Sequence, residues 1–79
     1  RDPLTERALK ALKGWRLKRA AELAIEPGVL INNGVLDELV GVRPQTLSDL
    51  GTVGGLKSWQ RREFGTELVT TLASVPSGV

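Results

Sequence analysis

The sequence predicts an all-α fold, a compact five-helix bundle with a long first helix. Three kinds of observation predict it: apolar residues recur at helical spacing, capping residues precede those stripes, and Pro or Gly ends them. The chain has 79 residues, of which 41% are hydrophobic. That is material for one core, so we expect a single domain.

The first helix is expected to begin at Asp2-Pro3 and to end before Pro27-Gly28. At about 100° per residue, one arc of this helix is apolar and the opposite side is basic. The apolar arc carries Thr5, Leu9, Leu12, Arg16, Ala20 and Leu23. The basic side carries Arg7, Lys10, Gly14 and Lys18. A charge within the apolar arc is costly unless it has a partner, so Arg16 is predicted to be structural, bonded to a carboxylate or to helix-end carbonyls.

Pro and Gly divide the middle of the chain into short elements. The run Val29-Leu30-Ile31 has no polar interruption and predicts an extended connector inserted in the core. Asn32-Asn33-Gly34 supplies turn and cap chemistry for a short second helix, which Arg43-Pro44 ends. Thr46-Leu47-Ser48-Asp49 has the pattern of a capping box for a third helix, which Gly51 closes.

The segment from Leu56 to Ala73 predicts a pair of helices. Leu56 and Trp59 point away from the later apolar stripe, so a kink or break is expected near Gly65. Residues 74–79 lack periodicity and are predicted to be a disordered tail. The expected core comprises Leu9, Leu12, Ala20, Leu23, Ile31, Leu36, Leu39, Leu47, Leu50, Phe64, Leu68 and Leu72.

The residue types argue against catalysis by this chain. It has no Cys and no His, which removes thiol nucleophiles, the usual zinc ligands and the commonest general base. Asp37 and Glu38 diverge on a helix, whereas Glu63 and Glu67 form a like-charge pair better suited to a solvated face. Gly54-Gly55 lacks the Lys and the hydroxyl of a phosphate-binding loop. We therefore predict no enzyme activity, no metal site and no cofactor.

Two basic clusters are candidate binding sites. Lys57, Arg61 and Arg62 surround Trp59, a pattern expected of a single-strand contact. The alternative for Trp59 is a place in the core beside Leu56. The net charge is only +2, so composition alone does not indicate a polyanionic partner.

The second candidate cluster lies on the outer face of the first helix. Lys10 and Lys18, with Arg7 near them, either contact phosphate or form a solvated face balanced by Glu6 and Glu22.

In their order and in their residue types, the motifs resemble the HRDC domain over about residues 8–73. The series is Leu9-Lys10-Ala11-Leu12, Trp15-Arg16, Ala20-Ala21, Ile25-Glu26-Pro27, Leu36-Asp37-Glu38-Leu39, Arg43-Pro44-Gln45-Thr46-Leu47, Leu50 and Phe64-Gly65. Trp15-Arg16, Pro27-Gly28-Val29-Leu30 and Leu56-Lys57-Ser58-Trp59-Gln60 look closer to ribonuclease D-type proteins than to RecQ-type helicases.

The resemblance implies a non-catalytic accessory domain, excised from a larger protein, that helps position RNA or single-stranded DNA for an attached 3'-5' exonuclease or helicase. It also implies that the catalytic carboxylates lie in a separate upstream domain. Because caps, breaks and apolar stripes agree, we expect a monomer, and the expected nucleic-acid binding is weak. A protein-contact or scaffold module is the competing interpretation.

No apolar run approaches the ~20 residues that span a bilayer, and no signal-peptide pattern is present. We therefore expect no membrane association and a cytoplasmic location.

Two departures from the family pattern concern nucleic-acid contacts. Many members have a glycine, apolar, glycine turn before the last helical pair, similar to a helix-hairpin-helix that presents N–H groups to phosphate. Here the series is Gly54-Gly55-Leu56-Lys57, with Lys57 in place of the second glycine, which argues against phosphate capture at this turn. Gly28 stands where some helicase members expose an aromatic ring, so base stacking is not expected there.

Overall fold

The computed structural model describes residues 3–75 as an all-α domain in which four α-helices and one 3-10 helix share a core. The α-helices are α1 (Pro3–Leu23), α2 (Pro27–Leu30), α3 (Asn33–Val42) and α4 (Ser58–Ala73), and the 3-10 helix is Ser48–Thr52. The long α1 packs against α2, α3 and α4. The predicted fold class and the long first helix are confirmed, but the helices are divided differently from the prediction.

The boundaries of α3 follow the predicted cap and break. The Asn32 side chain accepts a hydrogen bond from the Val35 N–H at 2.9 Å, which satisfies one free donor of the first turn. At the other end, Arg43 is left-handed, with φ 55°, and its N–H donates to the Leu39 carbonyl. The predicted helix over this segment is confirmed at both ends.

The predicted extended connector over residues 29–31 is wrong in part. Pro27–Leu30 forms one turn of helix, with Pro27 in the position where its missing N–H costs nothing. Leu30 and Ile31 are fully buried, whereas Val29 is exposed. The segment does enter the core, but helical geometry turns one of its three apolar side chains outward.

Of the predicted kink or break near Gly65, the break is wrong, because α4 is one continuous helix through that residue. A Cβ at Gly65 would lie 3.1 Å from side-chain carbons of both Leu47 and Leu50. This glycine therefore permits a close approach of the 3-10 helix to α4. Leu56 lies before the start of α4. The direction of its side chain therefore does not have to match the apolar stripe of that helix.

The predicted capping box forms around a shorter element than expected. The Asp49 N–H donates to Thr46 Oγ1 at 3.1 Å, and the Thr46 N–H donates to Asp49 Oδ2 at 3.2 Å. These are the reciprocal bonds of a capping box. The element they precede is a five-residue 3-10 helix in which Gly51 is an internal residue.

The expected core is present except for Leu23 and Leu47, which are 44% and 54% exposed. Leu23 is the last residue of α1, and Leu47 precedes the 3-10 helix, so neither is enclosed by neighbouring elements. Val75 is buried, so the predicted tail does not start at residue 74. The rest of that tail, and the predicted cap at Asp2, lie outside the described residues. The core also takes in Ala8, Leu30, Val35, Val40, Val53 and Val75.

Polar side chains join α2 to its neighbours. Arg16 Nη1 donates to the Ile31 carbonyl at 2.8 Å, which is a partner of the expected kind. Gln60, buried at the start of α4, donates through Nε2 to the Leu30 carbonyl at 2.9 Å. Both carbonyls lie at the end of α2, where the helix leaves its own acceptors unpaired.

Arg43 caps the C-terminal end of α4. Its guanidinium donates to the carbonyl oxygens of Leu72 and Val75. A cation at a helix C-terminus is favoured by the helix dipole and by the unpaired carbonyls there.

Candidate nucleic-acid interface

An open groove of about 500 Å³ lies between α4 and the 3-10 helix. It is lined by Leu47, Ser48, Arg61, Arg62 and Thr66, all of which are exposed. The close contact at Gly65 holds the two elements side by side. The groove therefore presents two guanidinium groups and two hydroxyls, the donors that bind phosphate oxygens.

The two arginines of this groove make few polar contacts with other residues of the domain. Arg62 Nε is 3.9 Å from Glu63 Oε1, and both side chains are mostly exposed, so the pair contributes little. Arg61 has no ion pair with any other residue in the range 3–75. Its Nη1 lies 3.7 Å from the point that a Cβ on Gly51 would occupy. Both cations can thus receive an external anion.

Trp59 does not line this groove. Its ring meets Phe64 edge-on, with ring centroids 6.1 Å apart and planes at 70°, and the residue is 39% exposed. Trp59 and Arg61 are two residues apart on α4, about 200° around the helix. The ring therefore lies beside Phe64 and on the other side of α4 from Arg61, whereas Arg62, three residues after Trp59, is its neighbour on the helix surface.

Lys57, the fourth member of the predicted cluster, is the residue before α4. Its side chain is exposed, and its backbone N–H donates to Gln60 Oε1 at 2.8 Å. Gln60 thus fixes the backbone at the start of the helix from which Arg61 and Arg62 project.

A polar and aromatic contact joins α1 to α4 away from the groove. Glu67 Oε1 accepts a hydrogen bond from Trp15 Nε1 at 2.9 Å and lies 3.0 Å from Arg19 Nε. Trp15 meets Phe64 edge-on at 5.5 Å, and the Arg19 guanidinium lies 5.4 Å from the centre of the same ring. The spacing of Glu63 and Glu67 predicts a solvated face for both, but Glu67 instead contacts Trp15 and Arg19.

Arg19 is tied to Glu22 as well, at 2.9 Å. This hydrogen bond is the main cause that raises the pKa of the Arg19 guanidinium, with Glu67 adding to it against some desolvation. Glu22 is therefore engaged with Arg19 rather than with the outer lysines of α1.

The outer face of α1 is more basic than the sequence pattern indicated. Lys10, Lys18 and Arg7 are exposed, and so is Lys13, which lies within one turn of Lys10. The stripe defined by Lys10 and Lys18 does not predict Lys13, which lies to one side of it. The four cations form a second basic surface, on a different part of the fold from the α4 groove.

The Gly54-Gly55 turn faces a carboxylate of α3. The Gly54 N–H donates to Glu38 Oε2 at 2.8 Å, and the Gly55 N–H donates to Glu38 Oε1 at 2.9 Å. No local sequence pattern predicts this contact, because the partners are 16 and 17 residues apart.

Within residues 3–75, no group of three or more acidic, His or Cys side chains could hold a metal ion.

None of the helices in the described part of the chain is long and apolar enough to cross a membrane.

The described residues form a small all-α domain with two exposed arginines in an open groove. The chain belongs to the HRDC domain family, whose model matches residues 5–72. The resemblance found from the motifs is thereby confirmed. HRDC domains are non-catalytic accessory domains that bind nucleic acid in helicases and ribonucleases. Comparison with curated proteins and with solved structures found no match to this chain.

Proposed function

We propose that this domain binds RNA or single-stranded DNA weakly and positions the strand for a catalytic domain of the same protein. That partner is a ribonuclease D-type 3'-5' exonuclease or a RecQ-type helicase. The observation that carries the proposal is the open groove in which Arg61 and Arg62 lie beside two hydroxyls. In this proposal the parent protein is cytoplasmic, the domain is a monomer, and the chemistry belongs to the parent's catalytic domain.

The shape and chemistry of the groove suit a strand backbone. A guanidinium can donate two parallel hydrogen bonds to one phosphate, and the Ser48 and Thr66 hydroxyls add further donors. Because the groove is open, a strand can pass along it. The partly exposed ring of Trp59 is then available to stack on a base next to the bound backbone. Lys57 and the α1 lysines, Lys10 and Lys18, add longer-range attraction.

A second candidate function is contact with another protein. Leu23, Ile25 and Val29 are all exposed around the connection between α1 and α2. Exposed apolar side chains that cluster in one region are typical of protein interfaces. This surface favours a scaffold or protein-contact role for the same domain.

Salt-dependent titration distinguishes the two functions. Fluorescence anisotropy of short single-stranded RNA and DNA should show weak binding whose log affinity falls linearly with log salt, by roughly 0.7 per phosphate contacted. Neither magnesium-dependent oligonucleotide degradation nor ATP hydrolysis should accompany that binding. If neither strand binds in low salt at high micromolar protein, the nucleic-acid function is wrong and the protein-contact function takes its place.

A further inference from the structure

Two consecutive backbone N–H groups of the Gly54-Gly55 turn bind one carboxylate, that of Glu38. Each of its oxygens accepts one of these bonds, at 2.8 and 2.9 Å. Successive N–H groups that converge on one anion form a small anion-binding concavity. The turn therefore has the donor arrangement of an anion site, and a side chain of the same chain fills it.

The second glycine of the turn leaves room for the close approach of this anion. A Cβ at Gly55 would lie only 2.8 Å from Glu38 Oε1 and 3.1 Å from Val35 Cγ2. A Cβ at Gly54 would meet Glu38 Oε2 at 3.6 Å, an ordinary contact. Any side chain at position 55 would therefore displace the oxygen that its own N–H binds.

The two amides are the polar contacts of this carboxylate within the described residues. Lys57 follows Gly55 by two residues, yet no ion pair in the range 3–75 joins it to Glu38. Glu38 is partly buried and lies on α3, so the carboxylate is held close to the turn by the fold. Such tethering gives it a high effective concentration relative to a free ligand.

We propose that the Gly54-Gly55 turn is an anion site that Glu38 keeps filled, and that Glu38 thereby excludes phosphate from it. A phosphate oxygen pair can accept the same two N–H groups that the carboxylate accepts. Both anions cannot occupy the turn, because they need the same donors and carry like charge. Glu38 is thus an autoinhibitory contact. The inference rests on the proposed function only where the phosphate belongs to a nucleic acid.

The test follows the Gly54 and Gly55 amide resonances by NMR while inorganic phosphate is added to the 79-residue chain. In Glu38→Gln, one side-chain oxygen becomes an amide nitrogen that cannot accept, so the turn loses a partner and opens. Both resonances should then shift saturably, with an affinity at least about tenfold above wild type. If they stay still in Glu38→Gln, or shift equally in wild type, the proposal is overturned.

Glu26→Gln is the matched control for charge. It removes the same negative charge from an exposed carboxylate that makes no cap hydrogen bond. Its Gly54 and Gly55 resonances should behave as in wild type. An equal response in this variant would make general charge the cause and would overturn the role of Glu38.

A second pair of variants keeps the test independent of folding. Glu38→Asp keeps the charge but shortens the side chain by one methylene. We therefore expect a folded protein whose Gly54 and Gly55 resonances respond to phosphate more weakly than those of Glu38→Gln. Adding Gly55→Ala to Glu38→Gln places a methyl group where the oxygen would bind. That addition should abolish the response, and a response that survives it would place the phosphate elsewhere.

A single-stranded oligonucleotide used as a second probe separates strand phosphate from free phosphate. A gain with both probes supports a strand phosphate in the turn, whereas a gain with inorganic phosphate alone supports a site for free phosphate. If wild type binds no oligonucleotide, the proposed function fails, but the phosphate response of Glu38→Gln still supports this inference.

Discussion

The two ends of α4 use arginine in opposite ways. At its C-terminal end, the guanidinium of Arg43 donates to the carbonyls of Leu72 and Val75. Near its N-terminal end, Arg61 and Arg62 line an open groove, and the 3.9 Å approach of Arg62 to Glu63 is their only ion pair within the described residues. Donors already bonded to carbonyls stabilise the fold, whereas those facing the groove remain able to bind a ligand.

The same distinction separates Arg16 and Arg19 of α1 from the lysines of that helix. Arg16 donates to the Ile31 carbonyl, and Arg19 is tied to Glu22 and Glu67. Lys10 and Lys18 are exposed and make no ion pair with residues in the range 3–75. The net charge of +2 therefore says little about binding, because contacts decide which cations are available.

The largest expected effect is a loss of stability on changing Arg43. Arg43→Ala removes both bonds to the end of α4 and should lower the free energy of unfolding by about 3 kcal/mol, measured by urea denaturation. Arg43→Gly loses the same bonds but relieves the left-handed backbone, so it should be about 1 kcal/mol more stable than Arg43→Ala. Equal stability of the two variants would show that the backbone at Arg43 carries no strain.

Changing Arg16 should have the next largest effect, again on stability. Arg16→Ala leaves the Ile31 carbonyl without this donor and should cost about 2 kcal/mol, seen as a lower melting temperature. Lys18→Ala, on the same helix but exposed, is the matched control and should change stability by at most about 0.5 kcal/mol. An Arg16→Ala protein with unchanged stability and lost nucleic-acid affinity would make Arg16 a binding residue.

Trp59→Leu should have a smaller effect, expressed mainly in binding. If the exposed part of the ring stacks on a base, the change should cost about 1 kcal/mol of binding free energy, measured by anisotropy at constant salt. Trp15→Leu is the matched control, since its indole is held by Glu67 and Phe64 and its loss should reduce stability. Lost stability with intact affinity in Trp59→Leu would place that ring in the core instead.

Much of the fold could be predicted because its signals are local. The Asn32 cap, the stop at Arg43-Pro44 and the bonds between Thr46 and Asp49 each depend on residues a few positions apart. Gly65 was misinterpreted because a glycine that breaks a helix and one that admits a neighbouring side chain look alike in sequence. The structure distinguishes them by the Leu47 and Leu50 carbons beside it.

The site was less predictable because long-range contacts set it. The sequence placed Trp59 with Arg61 and Arg62, but the contact with Phe64 and the packing of the 3-10 helix divide the ring from the groove. The pairing of Glu38 with the Gly54-Gly55 turn depends on how α3 packs, and no spacing rule reveals it. Only the identity of the cations near the start of α4 was available from sequence.

The most direct test of the α4 groove as the binding site compares the salt dependence of two double variants. Removing both groove cations in Arg61→Gln/Arg62→Gln should lower the slope of log affinity against log salt by about 1.4 for single strands, about 0.7 for each lost phosphate contact. Lys10→Gln/Lys18→Gln, the matched loss of two exposed charges on α1, should change the slope less. An unchanged slope in the groove variant, with a large change in the α1 variant, would contradict the account and move the binding surface to α1.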